Sequence, residues 1–208
     1  MGITASIVCD AIRRAAAVAR TAEHELNTAD SKLGDGDTGL MLRRLLERVS
    51  SALPVAESDI GSVCQACGVA SASATGSSLG TLGTIAMLTL AKATRGRNDI
   101  PWTELGGLLV GVRDAMLARG GATLGDKTVV DTLEAVAAAV DGLPDGERVT
   151  QAALAAAAQS LSTFRPRPNR IGRARMFADK SIGLDDPGML ALTRLIEGLR
   201  QPDPAQAG

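Results

Sequence analysis

The chain has 208 residues, 45% of them apolar, which is enough for one good-sized core and sets the expectation of a single domain over 1–208. Its 22 Lys and Arg almost cancel its 23 Asp and Glu, so no strong field exists to steer nucleic acid or an anionic membrane. With one Trp, two Phe and no Tyr, it also lacks the stacking surface that single-strand nucleic-acid binding needs.

Met1 to Asp10 shows no basic stretch followed by an apolar one, and no apolar run approaches the length of a membrane span. A cytoplasmic protein with neither nucleic acid nor membrane as partner is expected. Cys9, Cys64 and Cys67 are an odd number in a chain too large to need disulfide staples, which fits a reducing compartment. Cys64 and Cys67 form C-x-x-C, but with only one further Cys and the single His24 in the chain a four-ligand zinc site is barely possible, so buried helix cysteines are expected.

Apolar residues recur at helical spacing almost throughout, and no window alternates strictly, so the fold class is all-α. In chain order the pattern predicts helices over about 3–28, 38–53, 58–72, 77–94, 102–119, 126–141, 147–163 and 187–200. Ser58 is placed to cap the third, Pro101 suits a first turn, and Leu143-Pro144-Asp145-Gly146 breaks the sixth from the seventh. Alanine runs at 135–139 and 152–158 let helices approach closely, which implies an antiparallel bundle or barrel of eight helices. Between Arg165 and Arg175 two prolines and a glycine exclude regular helix, leaving a long basic loop of the kind that usually carries function. The tail from 201 to 208 reads as frayed.

The sharpest chemical signal is Leu26-Asn27-Thr28-Ala29-Asp30-Ser31-Lys32-Leu33-Gly34-Asp35-Gly36-Asp37-Thr38-Gly39, where three carboxylates crowd the turn between two helices. Gly34-x-Gly36-x-x-Gly39 matches a dinucleotide fingerprint only formally: no strand precedes it, and the intervening aspartates would repel a bare pyrophosphate. An EF-hand fails because the required Glu position is Met41 or Leu46. Mg²⁺ fits, since it accepts a few carboxylates and completes its octahedron with water and phosphate oxygens. The plainer alternative is a solvated Asp/Gly turn that caps a helix.

Three further segments carry weaker signals. Ala74-Thr75-Gly76-Ser77-Ser78-Leu79-Gly80-Thr81 puts small residues and hydroxyls before an apolar run, where free N–H groups suit either phosphate or ordinary capping. Gly120-Gly121-Ala122-Thr123-Leu124-Gly125-Asp126-Lys127-Thr128 resembles a P-loop, but Asp126 interrupts it and no strand precedes it. Gly172-Arg173-Ala174-Arg175 with Ser181-Ile182-Gly183-Leu184-Asp185-Asp186-Pro187-Gly188 offers guanidinium forks suited to phosphate.

Taken together and in this order, Leu26-Asn27…Asp30…Gly34-Asp35-Gly36-Asp37, Gly125-Asp126-Lys127-Thr128…Asp131 and Gly172-Arg173-Ala174…Ser181-Ile182-Gly183…Asp186-Pro187-Gly188 resemble the nucleotide-binding L subunit of bacterial dihydroxyacetone kinase. The resemblance implies an eight-helix α-barrel with ADP or ATP at one end and two Mg²⁺ held by Asp30, Asp35 and Asp37. It implies nucleotide contacts from Thr38, Gly39, Leu40, Met41, Thr75, Gly76, Gly120, Val129, Arg173, Asp186, Pro187 and Gly188, with the three aspartates and Arg173 as the catalytic set. Two positions depart from the family pattern: many members have His where Thr38 stands, and Asn is usual where Met41 stands.

The resemblance also implies a division of labour. A separate K subunit holds dihydroxyacetone on its own histidine, and phosphate crosses the subunit interface. In the phosphotransferase-system branch, bound ADP is recharged by a phosphohistidine-carrying M subunit; in the other branch free ATP exchanges. A stand-alone chain of this size leans to the first, and a homodimer is compatible with the sequence. The alternatives are an ATP-dependent kinase subunit for another ketose such as a tetrulose, a relative of the fatty-acid kinases that share Asp-Gly-Asp-Thr-Gly, and a nucleotide-sensing co-regulator of a transcription factor. His24 reads as an exposed or packing residue, and Lys127 as a loop residue or one near phosphate.

Overall fold

A computed structural model describes residues 2–54, 59–73 and 77–200, so Ser58, Thr75, Gly76 and the tail 201–208 lie outside it. The α-helices are α1 (Ala5–Asp30), α2 (Thr38–Ser51), α3 (Ile60–Ala72), α4 (Ser78–Ala93), α5 (Leu105–Gly120), α6 (Val129–Val140), α7 (Gly146–Phe164) and α8 (Pro187–Glu197). Each packs against the next in sequence, and α8 returns to pack on α1, which closes the ring. The expected all-α barrel is what the chain forms.

Local chemistry sets most helix starts. Thr4, Asp59, Ser77, Thr128, Asp145 and Asp186 each accept a backbone N–H in the first turn of the helix that follows. The cap of α3 is therefore Asp59 and not Ser58. Pro101 precedes a single 3₁₀ turn, Trp102–Glu104, before α5 begins. Helix α6 starts three residues later than its periodicity suggests, because Lys127 adopts φ 64°, a left-handed conformation that no α-helix can include.

Two irregularities were not expected. Ile3 and Ile100 pair across a two-residue antiparallel bridge, β1 (Ile3–Thr4) with β2 (Asp99–Ile100), and both isoleucines are buried. The segment foreseen as loop to Arg175 is irregular only to Gly172, after which Arg173–Ser181 winds into 3₁₀ turns.

Several buried clusters line the ring. Along α1 the buried face runs Cys9, Ile12, Ala16, Ala19, Ala22, Leu26 and ends on Asp30, steps of three and four that place a carboxylate at the tip of an apolar stripe. Leu26, Leu42, Leu161, Met189 and Leu190 join α1, α2, α7 and α8, and Val136, Val140, Val149, Ala153 and Ala157 join α6 to α7. The closing seam between α8 and α1 carries a two-pronged ion pair from Arg194 to Glu25 at 2.8 and 2.6 Å. Cys9, Cys64 and Cys67 are free and buried, as expected, and burial pushes the Cys64 thiol up to about 11 and that of Cys67 up to about 12. Among the described residues no helix is long and apolar enough to cross a membrane.

Candidate functional site

Helix α1 ends in a carboxylate and α2 begins eight residues later, so the turn between them must reverse the chain inside a crowd of negative charge. Asp30, Asp35 and Asp37 each place a carboxylate oxygen within 4.8 Å of the others. Asp30 is buried, while Asp35 and Asp37 are exposed. Asp30 Oδ2 accepts the backbone N–H groups of Asp37 at 3.0 Å and Thr38 at 3.1 Å. It thereby satisfies two of the donors that the start of α2 leaves free.

Asn27, one turn earlier, does the same for the next two donors: its Oδ1 accepts from Gly39 N at 2.8 Å and Leu40 N at 3.2 Å. Asp37, the N-cap of α2, makes no side-chain cap bond of its own. The capping groups of α2 therefore sit on α1, and the Asp37 side chain is not used up in capping. Glycines make this possible. A Cβ at Gly34 would stand 2.5 Å from Asp30 Oδ1 and displace that carboxylate, and one at Gly39 would overlap the Glu23 carbonyl oxygen and force α1 and α2 apart.

Several of the other expected residues lie close to one another at helix starts. A Cβ built on Gly188, in the first turn of α8, meets Val129 of α6 at 3.4 Å and Leu79 of α4 at 3.8 Å, so three helix starts converge there. Leu79 also packs with the cluster containing Leu26 and Leu42, which ties this point to α1 and α2. Thr38, Leu40 and Met41 are half-buried and Gly39 is buried in the first turns of α2. Gly120 is the last residue of α5, and Arg173 opens the 3₁₀ segment. Pro187 is buried at the first position of α8.

Asp186 does more than the sequence suggests. Its Oδ1 caps α8 by accepting from Met189 N at 2.9 Å, and its Oδ2 accepts from Asn169 Nδ2 at 2.8 Å. Desolvation pushes its carboxyl up to about 6 in spite of these donors. Asp131 likewise completes a capping box on α6 and also accepts from Gly125 N at 2.6 Å. The segment that looks like a broken P-loop is a cap built around Asp131.

Lys127 is fully buried, and its Nζ donates to the carbonyl oxygens of Arg167, Ser181 and Leu184 at 2.8, 2.8 and 2.7 Å, with a longer contact to Arg165 at 3.3 Å. Loss of water lowers its pKa, and Asp186 and Asp185 act in the opposite direction. Of the two placements expected for Lys127, the loop role is the one the structure shows: the amine faces the loop's own backbone. No spacing in the sequence pairs Lys127 with carbonyls some 40 to 57 positions away.

A cleft of about 600 Å³ opens between His24 and Thr28 on α1, with Lys32 in the turn beyond it, and the Arg165, Gly183 and Asp185 side of the loop. His24 is exposed there. A larger cleft of about 850 Å³ lies elsewhere, among Arg48, Gly61, Val69 and Arg95. The carboxylate trio supplies oxygen donors only, which suits a hard divalent cation and not a thiophilic one.

Residues 32–201 match the DAK2 domain. The chain belongs to the DAK2 domain family. It is 28% identical to the ADP-binding subunit DhaL of the PEP-dependent dihydroxyacetone kinase of Escherichia coli K12, over 96% of this chain and 97% of that one. It is 33% identical to the D-erythrulose kinase of Mycolicibacterium smegmatis, over 90% of this chain and 34% of that protein. Among solved structures, this DAK2 domain superposes on the dihydroxyacetone kinase of C. freundii in complex with AMP-PNP and Mg²⁺ with a TM-score of 0.73 at 23% identity, covering 96% of this chain and 34% of the other. That likeness establishes a common fold, over about a third of the longer kinase.

Proposed function

We propose that this DAK2 domain is the ADP/ATP-binding, phosphoryl-donor subunit of a dihydroxyacetone kinase, passing phosphate to a ketose held on a separate K subunit. The observation that supports this reading best is the clustering of Asp30, Asp35 and Asp37 within 4.8 Å at the turn that leads into α2. Three carboxylates so close repel one another, and in return they offer a divalent cation a ready ligand set.

In this reading Asp30, Asp35 and Asp37 hold two Mg²⁺, which would neutralise nucleotide phosphate oxygens. Asp30 has two tasks, since the same carboxylate that meets metal fixes the backbone of Asp37 and Thr38. The first turns of α2, α6 and α8 supply the nucleotide contacts of Thr38, Gly39, Leu40, Met41, Val129, Asp186, Pro187 and Gly188, together with Thr75, Gly76 and Gly120, and Arg173 binds phosphate oxygens. Most of the catalysis is then positioning and charge stabilisation, and no general base is required of this chain. Full-length likeness to a PEP-dependent subunit favours recharging of bound ADP by a phosphohistidine-carrying M subunit.

The likeness to a D-erythrulose kinase favours a second reading, in which the K-type partner presents a tetrulose. Both are tested together by adding a K-type subunit with either dihydroxyacetone or erythrulose to the chain charged with Mg-ATP. Sugar phosphate formed only with partner present supports the reading, and the faster sugar names the substrate; no transfer to either sugar overturns it.

A further inference from the structure

We propose that Lys127 is a positioning residue whose buried ammonium fastens both ends of the 165–184 segment to the start of α8, and so sets the geometry of the nucleotide end of the barrel. The inference rests on the function proposed above for its last step, and on geometry alone for the others.

The four carbonyls around Nζ come from the two ends of one excursion of the chain: Arg165 and Arg167 where it leaves α7, Ser181 and Leu184 where it returns toward α8. An ammonium has three N–H groups, so it serves the three short contacts fully and shares a proton with the fourth. Carbonyl oxygens turned inward in this way need a cation or several separate donors. Lys127 supplies the cation from the chain itself, much as a bound ion would close a loop.

The backbone of Lys127 continues the link. Its carbonyl accepts from Asn169 Nδ2 at 2.9 Å, and the same amide nitrogen donates to Asp186 Oδ2 at 2.8 Å. Asn169 N donates to Ser181 Oγ at 2.8 Å, whose proton goes on to Ala178 O at 2.5 Å. Two hydrogen bonds thus separate the residue that clamps the loop from the cap of α8. Asn169 is 1% exposed and Ser181 0%, so water does not compete for these bonds.

Conformation points the same way. Lys127 is the one non-glycine among the described residues with positive φ, a conformation that glycine or asparagine adopts at lower cost. A long side chain stands at that position because its end group is needed, not because the backbone favours it. The segment it secures includes Arg173 and runs directly into Asp186, Pro187 and Gly188.

The test uses the full chain and Lys127→Met, which keeps most of the side chain's volume and removes the charge, with Ser181→Ala as a milder break in the same network. In Lys127→Met, hydrogen exchange at the Arg170 and Gly183 amides, bonded to Asp126 O and Arg165 O, should quicken by about 100-fold, while the Gly39 and Leu40 amides keep wild-type protection. Mg-ADP affinity should fall by about tenfold or more with binding of Mn²⁺ alone unchanged, and Ser181→Ala should shift both in the same direction by a smaller factor. Unchanged protection of the 165–184 amides, or a loosened segment with wild-type Mg-ADP affinity, overturns the proposal. Should Lys127→Met fail to fold, wild-type exchange and affinity in Ser181→Ala overturn it equally. If the wild-type chain binds no Mg-ADP, it is the function reading that falls, and the exchange result alone judges whether Lys127 fastens the segment.

Discussion

Asp30 Oδ2 lies 3.0 Å from the backbone nitrogen of Asp37, so one carboxylate-bearing residue of the trio positions another. Removing either carboxylate should abolish metal-dependent nucleotide binding, but only Asp30 also holds the turn. Asp30→Ala, which strips two partly buried backbone N–H groups of a charged acceptor, should lower stability by about 2 kcal/mol. Asp37→Ala removes an exposed side chain with no cap bond and should melt close to wild type. Calorimetric titration with Mg-ADP beside urea unfolding checks both; equal destabilisation by the two variants would contradict the assignment.

Mg-nucleotide should stabilise the folded chain, because its ligands are assembled only when α1, α2, α6 and α8 meet. At about 100 times Kd the gain is about 2.7 kcal/mol, a rise in Tm of about 5–11 °C for a chain of this size. A melting curve unmoved by saturating Mg-ADP and Mg-ATP would count against the site.

Met41 occupies the second turn's edge of α2, with its backbone N–H bonded to Asp37 O at 2.9 Å. Met41→Asn keeps that bond and restores an amide where family members usually have one, so nucleotide affinity should rise or stay level. A loss of tenfold, about 1.4 kcal/mol, would show a site rebuilt around the thioether.

The isolated chain should not phosphorylate dihydroxyacetone at any Mg-ATP concentration. Its single histidine is exposed on α1, and Lys127, whose amine would have to be free to capture a carbonyl as a Schiff base, is walled in by carbonyls. Turnover should rise to saturation as a K-type partner is titrated in; steady sugar phosphorylation by the chain alone would refute the division of labour.

Alkaline pH should destabilise the fold through its thiols. Burial raises Cys64 to about 11 and Cys67 to about 12 from the ordinary 9.0, so the unfolded chain loses these protons first. Their contribution is complete below pH 9.0 and fades as pH climbs toward 11 and 12. At about pH 10.5 each thiol should cost about 2 kcal/mol relative to neutral pH. Urea midpoints across that range should fall less steeply in a Cys64→Ala, Cys67→Ala double variant.

What could be read from the sequence was what lies close along it. Asp30, Asp35 and Asp37 fall within one turn, and a helical stripe such as Cys9 to Leu26 announces itself by spacing. Asn27 was visible only as part of a motif; its role as a cap for α2 depends on how closely two helices approach at Gly39. Lys127 was opaque for a stronger reason. A lysine in a charged, glycine-rich stretch ordinarily faces water, and only tertiary structure surrounds it with carbonyls from another part of the chain. The bridge between Ile3 and Ile100 escaped because two residues of extended chain leave no alternation to detect.

The ring closed by Arg194 and Glu25 joins residues 169 positions apart. Most neighbouring helices can pair as soon as each emerges from the ribosome, since their contacts are local in sequence. The carboxylates at the tip of α1 are made early, but Gly188 and the cap at Asp186 arrive only with α8. A nascent chain therefore carries its carboxylate turn long before α8 can close the ring over it, and on the proposed function docking of α8 is the step that completes the nucleotide site.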